Sequence, residues 1–298
     1  MKTHDLRDSP LYKVRSRKRL ANILFTIESS LILLARSESN YHSFQKKKKD
    51  GSPRTIDAPN PGLKRIQSRI ADLLQRITPP DFLMSPVRGR SYVHNANHHL
   101  CSNSFHCIDL ENYFPRCMET NVKLFFRDTM KCSPDVAYLL GRLTCKDGHL
   151  PQGSPCSLIL AYFSNSGMWE EVGRLVAESD CTFSVYADDL TISGERVPKS
   201  LVWEITKVIF RNNHRVQRKK VRRRTNGIAE ITGVVVRNGR LVPPNRQHQA
   251  LDMARKDLNC ADNSEIRKKI ERSIQGRLAQ IQQIENHNAN SQTDDTSH

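Results

Sequence analysis

The apolar positions of this chain recur with two different periods. Phe183, Val185, Leu190 and Ile192 alternate with polar residues on either side of Ala187-Asp188-Asp189, the mark of two strands joined by a short acidic turn. Other stretches have helical spacing. Leu20, Ile23, Leu24, Ile27, Leu31 and Leu34 predict one amphipathic helix over 17–36. Leu63, Ile66, Ile70, Leu73, Leu74 and Ile77 predict a second, ended by Pro79-Pro80, and Leu201, Val202, Ile205, Val208 and Ile209 a third. Ile266, Ile270, Ile274, Leu278, Ile281 and Ile284 form a stripe on a long basic helix, and the polar tail 286–298 is expected to be disordered.

Shorter signals lie between. Lys46-Lys47-Lys48-Lys49 before Asp50-Gly51 reads as a flexible lysine-rich hairpin, followed by a short strand at Arg54-Thr55-Ile56. Residues 105–110 read as a strand that delivers the carboxylate of Asp109 to its end. Leu150-Pro151-Gln152-Gly153-Ser154-Pro155 is a loop opening a helix, where free amides could face a phosphate or a base, or simply turn the chain. Residues 231–236 read as one strand, flanked by the turn pairs Asn226-Gly227 and Asn238-Gly239.

Composition narrows the partners. Lys and Arg number 47 against 31 Asp and Glu, a formal charge of +16 over 298 residues, which points to a polyanion. The longest apolar run, at 31–35, is far short of the roughly 20 residues of a membrane span, and residues 1–10 lack a signal-peptide pattern. A cytoplasmic chain without a membrane partner is expected. The 8 cysteines contain no Cys-x-x-Cys pair, so reduced thiols are expected. His94, His98 and His99 lack cysteine or carboxylate neighbours at ligand spacing and read as hydrogen-bonding side chains.

Adjacent carboxylates at a hairpin tip need an explanation, because like charges about 4 Å apart repel by roughly 4 kcal/mol at an effective dielectric near 20. Either the tip is bathed in solvent, or divalent cations sit there and can clamp a phosphoryl transfer.

The order strand-end Asp109, Gln-Gly loop, Asp188-Asp189 hairpin and basic stretch 218–224 resembles the reverse transcriptase palm across about residues 45–236. Within that family it looks most like the bacterial retron reverse transcriptases. Asn95-Ala96-Asn97-His98-His99 matches their Asn-Ala-x-x-His signature, and Ile231-Thr232-Gly233 is similar to their Val-Thr-Gly. Group II intron enzymes share the palm and are the nearest competitor. The chain departs from the pattern at Ser157-Leu158, Ala161-Tyr162 and Gln217.

The resemblance implies an α+β right-hand polymerase: fingers over 1–100, a palm with an antiparallel sheet and helices over 101–236, and a helical thumb over 237–285. It implies two Mg²⁺ ions held by Asp109, Asp188 and the Leu110 carbonyl, with Asp189 as a supporting charge. Lys48, Lys49, Arg54, Gln152 and Gly153 would meet the incoming nucleotide. Phe114 would exclude a ribose 2′-hydroxyl, unless it is simply a core aromatic. Lys220, or its neighbour Lys219, would protonate pyrophosphate. Asn95, His99, Thr232, Gly233, Arg267, Lys268 and Arg272 would contact RNA, although the thumb cations fit a solvated helix face equally well. The implied activity is RNA-directed DNA polymerisation that copies a cognate structured non-coding RNA into RNA-linked single-stranded DNA (msDNA). Priming from an RNA 2′-hydroxyl, an RNA–DNA hybrid product, dNTP substrates, and antiphage defence with an effector protein complete the expectation. The other reading is a catalytically silent RNA-binding scaffold.

Overall fold

The computed structural model describes residues 2–47, 51–218 and 221–294, so Lys48, Lys49, Lys219 and Lys220 lie outside the described residues. The strands are β1 Tyr41–Lys47, β2 Pro53–Pro59, β3 Leu83–Ser85, β4 Ser104–Asp109 and β5 Thr182–Tyr186. They continue with β6 Asp189–Gly194, β7 Arg222–Arg224, β8 Ile228–Ile231, β9 Val234–Arg237 and β10 Arg240–Val242. With the helices they make a mixed α and β protein that divides into two units. Unit one comprises residues 1–88, 110–173 and 205–216; unit two comprises 89–109, 174–204 and 217–298.

Unit one is mainly helical. The single helix expected over 17–36 is two, Arg17–Ile23 and Glu28–Arg36. Phe25 takes a positive φ of 54°, which no continuous helix admits. Apolar spacing runs through the break and hides it. Helix Pro61–Leu74 forms where expected because Asn60 caps it through the Leu63 N–H, Pro61 supplies a preset φ, and Leu63, Ile66, Ile70, Leu73 and Leu74 face inward. It packs against helix Pro134–Thr144, which buries Leu139, Leu140 and Leu143. β1 and β2 form an antiparallel hairpin in which Lys46 opposes Arg54 and Lys47 opposes Pro53.

In unit two, β5, β6, β4 and β7 lie side by side in that order, all antiparallel. β8, β9 and β10 make a second antiparallel sheet. Helix Tyr92–Asn97 joins the two sheets through one core of Val93, Ala96, Phe105, Ala229, Ile231, Val234, Val236, Leu241 and Ile284. The run 231–236 is not one strand. Thr232 and Gly233 have φ of 47° and 88° and form the two-residue turn between β8 and β9, since Ile231 pairs with Val234. Asn238-Gly239 turns the chain again as expected, into β10. Two helices follow, Asn245–Cys260 and Ser264–Asp294, and the second runs through 286–294, where a disordered tail is expected. No described helix is long and apolar enough to cross a membrane. All eight cysteines are free thiols.

Candidate active site

The β4–β6 register places Asp109 directly opposite Asp189. Such partners hold their Cβ atoms about 4.5–5.5 Å apart, so two carboxylates face each other across neighbouring strands. The turn that closes the hairpin is Ala187-Asp188, and Asp189 opens β6 instead of sharing the turn. Ala187 carries a φ of 59°, a left-handed conformation costing about 1–2 kcal/mol in a residue with a Cβ. Three carboxylates therefore gather at one end of the sheet of unit two.

Their chemistry suits a hard divalent cation, which takes oxygen ligands and usually keeps waters or substrate phosphates beside one or two carboxylates. Among the described residues no three His, Cys, Asp or Glu side chains close into a cage by themselves. Two facing carboxylates with a third at the turn fit the partial coordination such an ion needs.

Behind this end, on the same face of the sheet, the side chains are unexpectedly polar. Counting back by twos from Asp109 and Asp189 gives Cys107, Thr191 and Ser193, and from Tyr186 gives Ser184. Ser184 and Ser193 are fully buried and both bond to His99, Ser184 to Nε2 and Ser193 to Nδ1, each at 2.7 Å. Ser184 Oγ donates to Asn95 Oδ1 at 2.6 Å, and Asn95 Nδ2 donates to Thr232 Oγ1 at 3.2 Å. Thr232 in turn donates to the Tyr92 carbonyl at 3.0 Å. Asn95 and His99 are each only 1% exposed, so the sequence signature expected to touch RNA places these two side chains inside the molecule. Burial, helped by the charge of neighbouring His98, pushes the His99 pKa down to about 3 and keeps the ring neutral.

The basic stretch borders the same sheet. β7 pairs with β4, setting Arg222 opposite Cys107 and Arg224 opposite Phe105, and the Gln217 N–H donates to the Asp109 carbonyl at 2.8 Å. On the second long helix, Arg267 donates to the carbonyls of Leu258 at 3.2 Å and Ala261 at 3.1 Å, so it fastens the end of the preceding helix. Lys268 and Arg272 are exposed one turn apart.

Unit one holds a cavity of about 380 Å³ whose walls include Arg54, Gln152, Lys146, Asp57, His149 and Asn112. Arg54 Nε donates to Gln152 Oε1 at 2.8 Å, bringing together two of the residues expected at the nucleotide. The loop is tied to β2, because the Asp57 N–H donates to the Gln152 carbonyl at 2.6 Å. Gly153 adopts a φ of 130°, and a Cβ there would lie 2.7 Å from the Asp57 carbonyl oxygen. Only glycine permits that approach. Ser154 Oγ donates to Gln67 Oε1 at 2.7 Å, and Ser157 Oγ donates back to the Pro151 carbonyl at 2.7 Å.

Lys146 and Asp57 escaped the sequence reading. Lys146 Nζ meets Asp57 Oδ1 at 2.6 Å, and Ser43 Oγ donates to the same oxygen at 2.6 Å. Burial works to raise the Asp57 pKa, but the bonds and charge of Lys146 and the Ser43 hydroxyl outweigh it and the net shift is downward. The pair is 89 positions apart in the chain, so no local spacing announces it. Phe114 is half-buried beside Tyr113, and its segment lines the cavity with Asn112 and Pro115 instead. Leu110 is buried, its backbone bridged to Val216.

No family model matches the chain. Individual proteins do. It is 30% identical over 162 residues to the retron Se72 reverse transcriptase of Salmonella heidelberg, covering 54% of this chain and 42% of the relative. It is 26% identical over 177 residues to the retron Ec86 reverse transcriptase of Escherichia coli, covering 58% and 55%. A third match, at 27% over 240 residues, is the retron Ec83 reverse transcriptase of Escherichia coli, covering 74% and 75%. The matched stretch spans about half the length of the first two relatives.

Proposed function

The chain is similar to retron reverse transcriptases, and on that premise we propose that it is an RNA-directed DNA polymerase of retron type. The observation that carries the reading is the register of Asp109 opposite Asp189, with Asp188 in the adjoining turn. A matched motif could survive as a relic in a silent RNA-binding scaffold. Asp109 and Asp189 on facing strands, with Asp188 in the adjoining turn, make a cluster of negative charge suited to a divalent cation.

In this reading Asp109 and Asp188, with the Leu110 carbonyl, hold two Mg²⁺ ions, and Asp189 adds negative charge beside them. Bound there, such ions acidify a primer hydroxyl and neutralise a triphosphate. Arg54 grips phosphate through its forked guanidinium, aided by Lys48 and Lys49. Gln152 orients the Arg54 side chain it bonds, and Gly153 lets the loop lie against β2. Phe114 guards against a 2′-hydroxyl, and Lys220 protonates departing pyrophosphate. The exposed Lys268 and Arg272 bind RNA phosphate, in keeping with the +16 charge.

The proposal extends to a right-hand arrangement of fingers, palm and thumb, to a cognate structured RNA as template and 2′-hydroxyl primer, and to msDNA as product. Antiphage defence with an effector protein follows from the same likeness. The test is the purified chain with RNA transcribed from its flanking DNA, dNTPs and Mg²⁺. Labelled DNA joined to RNA from the wild type, and none from Asp188→Asn, is expected. No product from the wild type, or undiminished product from Asp188→Asn, would sink the reading.

A further inference from the structure

Ser184 and Ser193 are an odd choice for the interior of a sheet, since a buried hydroxyl is costly unless bonded. They stand on neighbouring strands but not opposite each other: Ser184 pairs with Thr191, two residues from Ser193. Diagonal neighbours of this kind are about 7–8 Å apart at the backbone, too far for two hydroxyls to meet. The His99 ring closes that gap with a 2.7 Å bond on each side.

The donors fix which way each bond runs. Ser184 spends its proton on Asn95 Oδ1, so it accepts from His99 Nε2–H. His99 Nδ1 is then the bare nitrogen that accepts from Ser193, and Ser193 accepts from Ser102 at 2.8 Å. With Asn95 donating to Thr232 and Thr232 to the Tyr92 carbonyl, the bonds run head to tail from Ser102 to Tyr92. Every member has a partner, and a neutral ring in one tautomer completes the line. Thr232, a β-branched residue at a φ of 47°, is held in its strained turn by the same line.

We propose that His99 is a positioning residue: by bridging Ser184 on β5 and Ser193 on β6, it fixes the β5–β6 register, Tyr186 opposite Asp189, that presents Asp188 and Asp189 at the end of the sheet. A slip of one residue between β5 and β6 would remake the Ala187-Asp188 turn, and a partial shear would move Asp188 relative to Asp189. Asn95 locks the ring through Ser184. This role rests on the polymerase reading above.

The test compares wild type, His99→Ala, His99→Gln and Ser184→Ala on a homopolymeric RNA template with a DNA primer. It measures kcat, the KM for dNTP, the Mg²⁺ midpoint of activation, and RNA affinity by fluorescence anisotropy. His99→Ala and Ser184→Ala should lower kcat on the order of 10- to 100-fold and raise the Mg²⁺ midpoint, with RNA affinity kept within about twofold. His99→Gln should recover much of the loss, because one amide offers a donor and an acceptor. If His99→Ala does not fold, Ser184→Ala, which removes one hydroxyl, decides. Wild-type kcat and Mg²⁺ midpoint in Ser184→Ala, with an active wild type, would overturn the positioning role alone. Weakened RNA binding with kcat intact would overturn it in favour of a direct RNA contact. A wild type that makes no DNA would overturn the polymerase reading and this role with it.

Discussion

The facing carboxylates should cost stability when no cation is present. Asp109 and Asp189 are register partners and both are partly exposed. At a separation of about 5 Å and an effective dielectric near 20, Coulomb repulsion is about 3 kcal/mol, which solvent and salt reduce to about 1–2 kcal/mol. Asp189→Asn removes the repulsion while keeping the shape. In EDTA at low salt the variant should melt about 2–8 °C above the wild type, from about 2–4 °C per kcal/mol for domains of this size. Saturating Mg²⁺ should reverse the order. A ligand at 100 times its Kd stabilises by about 2.7 kcal/mol, and the variant forfeits part of that binding. Differential scanning fluorimetry of both proteins, with EDTA and with a Mg²⁺ series, reads both effects. An Asp189→Asn protein that melts no higher than wild type in EDTA, or that gains as much from Mg²⁺, would refute the argument that these acids are held together for an ion.

Other consequences follow from the same contacts. Gly153→Ala should destabilise by about 1–3 kcal/mol and lower activity, because its Cβ must displace the Asp57 carbonyl; urea unfolding and primer extension check it. Lys146→Met leaves Asp57, only 7% exposed, with a hydroxyl in place of a cation, and should cost about 2 kcal/mol by urea unfolding, part of which Asp57→Asn in the double variant restores. Burial, with His98 nearby, holds His99 at about 3, and burial, with Arg116 nearby, holds His214 at about 4, against 6.5 in the unfolded chain. The unfolded chain therefore takes up protons the native one refuses. Stability should be full above pH 6.5 and fall as the pH drops toward 4 and then 3, by about 1.4 kcal/mol per group one unit below 6.5. Midpoints of urea unfolding that do not move between pH 7.5 and 5.5 would count against it.

What the sequence makes legible is what local spacing encodes. The hairpin around Asp188, the strand ending in Asp109, and helices Pro61–Leu74 and Lys199–Arg211 follow from periodicity and caps within each segment. Phe25 and Thr232 were hidden for the opposite reason. Each sits in an unbroken apolar or β-branched pattern that masks a turn: at Phe25 a helix cap, with the Thr26 N–H donating to the Ala21 carbonyl at 3.0 Å, and at Thr232 the two-residue link between Ile231 and Val234. The site divides the same way. Arg54 and Gln152 could be named from a motif, but their bond spans 98 positions, and His99 reaches Ser184 and Ser193 across 85 and 94. His99, expected to contact RNA, is buried with its ring bonded to those two serines, and no residue in its own stretch of chain announces those partners.

RNA-directed DNA synthesis is tested by incorporation of labelled dTTP on a poly(rA) template with an oligo(dT) primer and Mg²⁺. Wild type and Asp109→Asn should be compared at equal RNA occupancy. Template-dependent DNA is expected from the wild type, with a loss on the order of 10³-fold or more in the variant and unchanged RNA binding. Equal incorporation by the two proteins, or none by either, would contradict it.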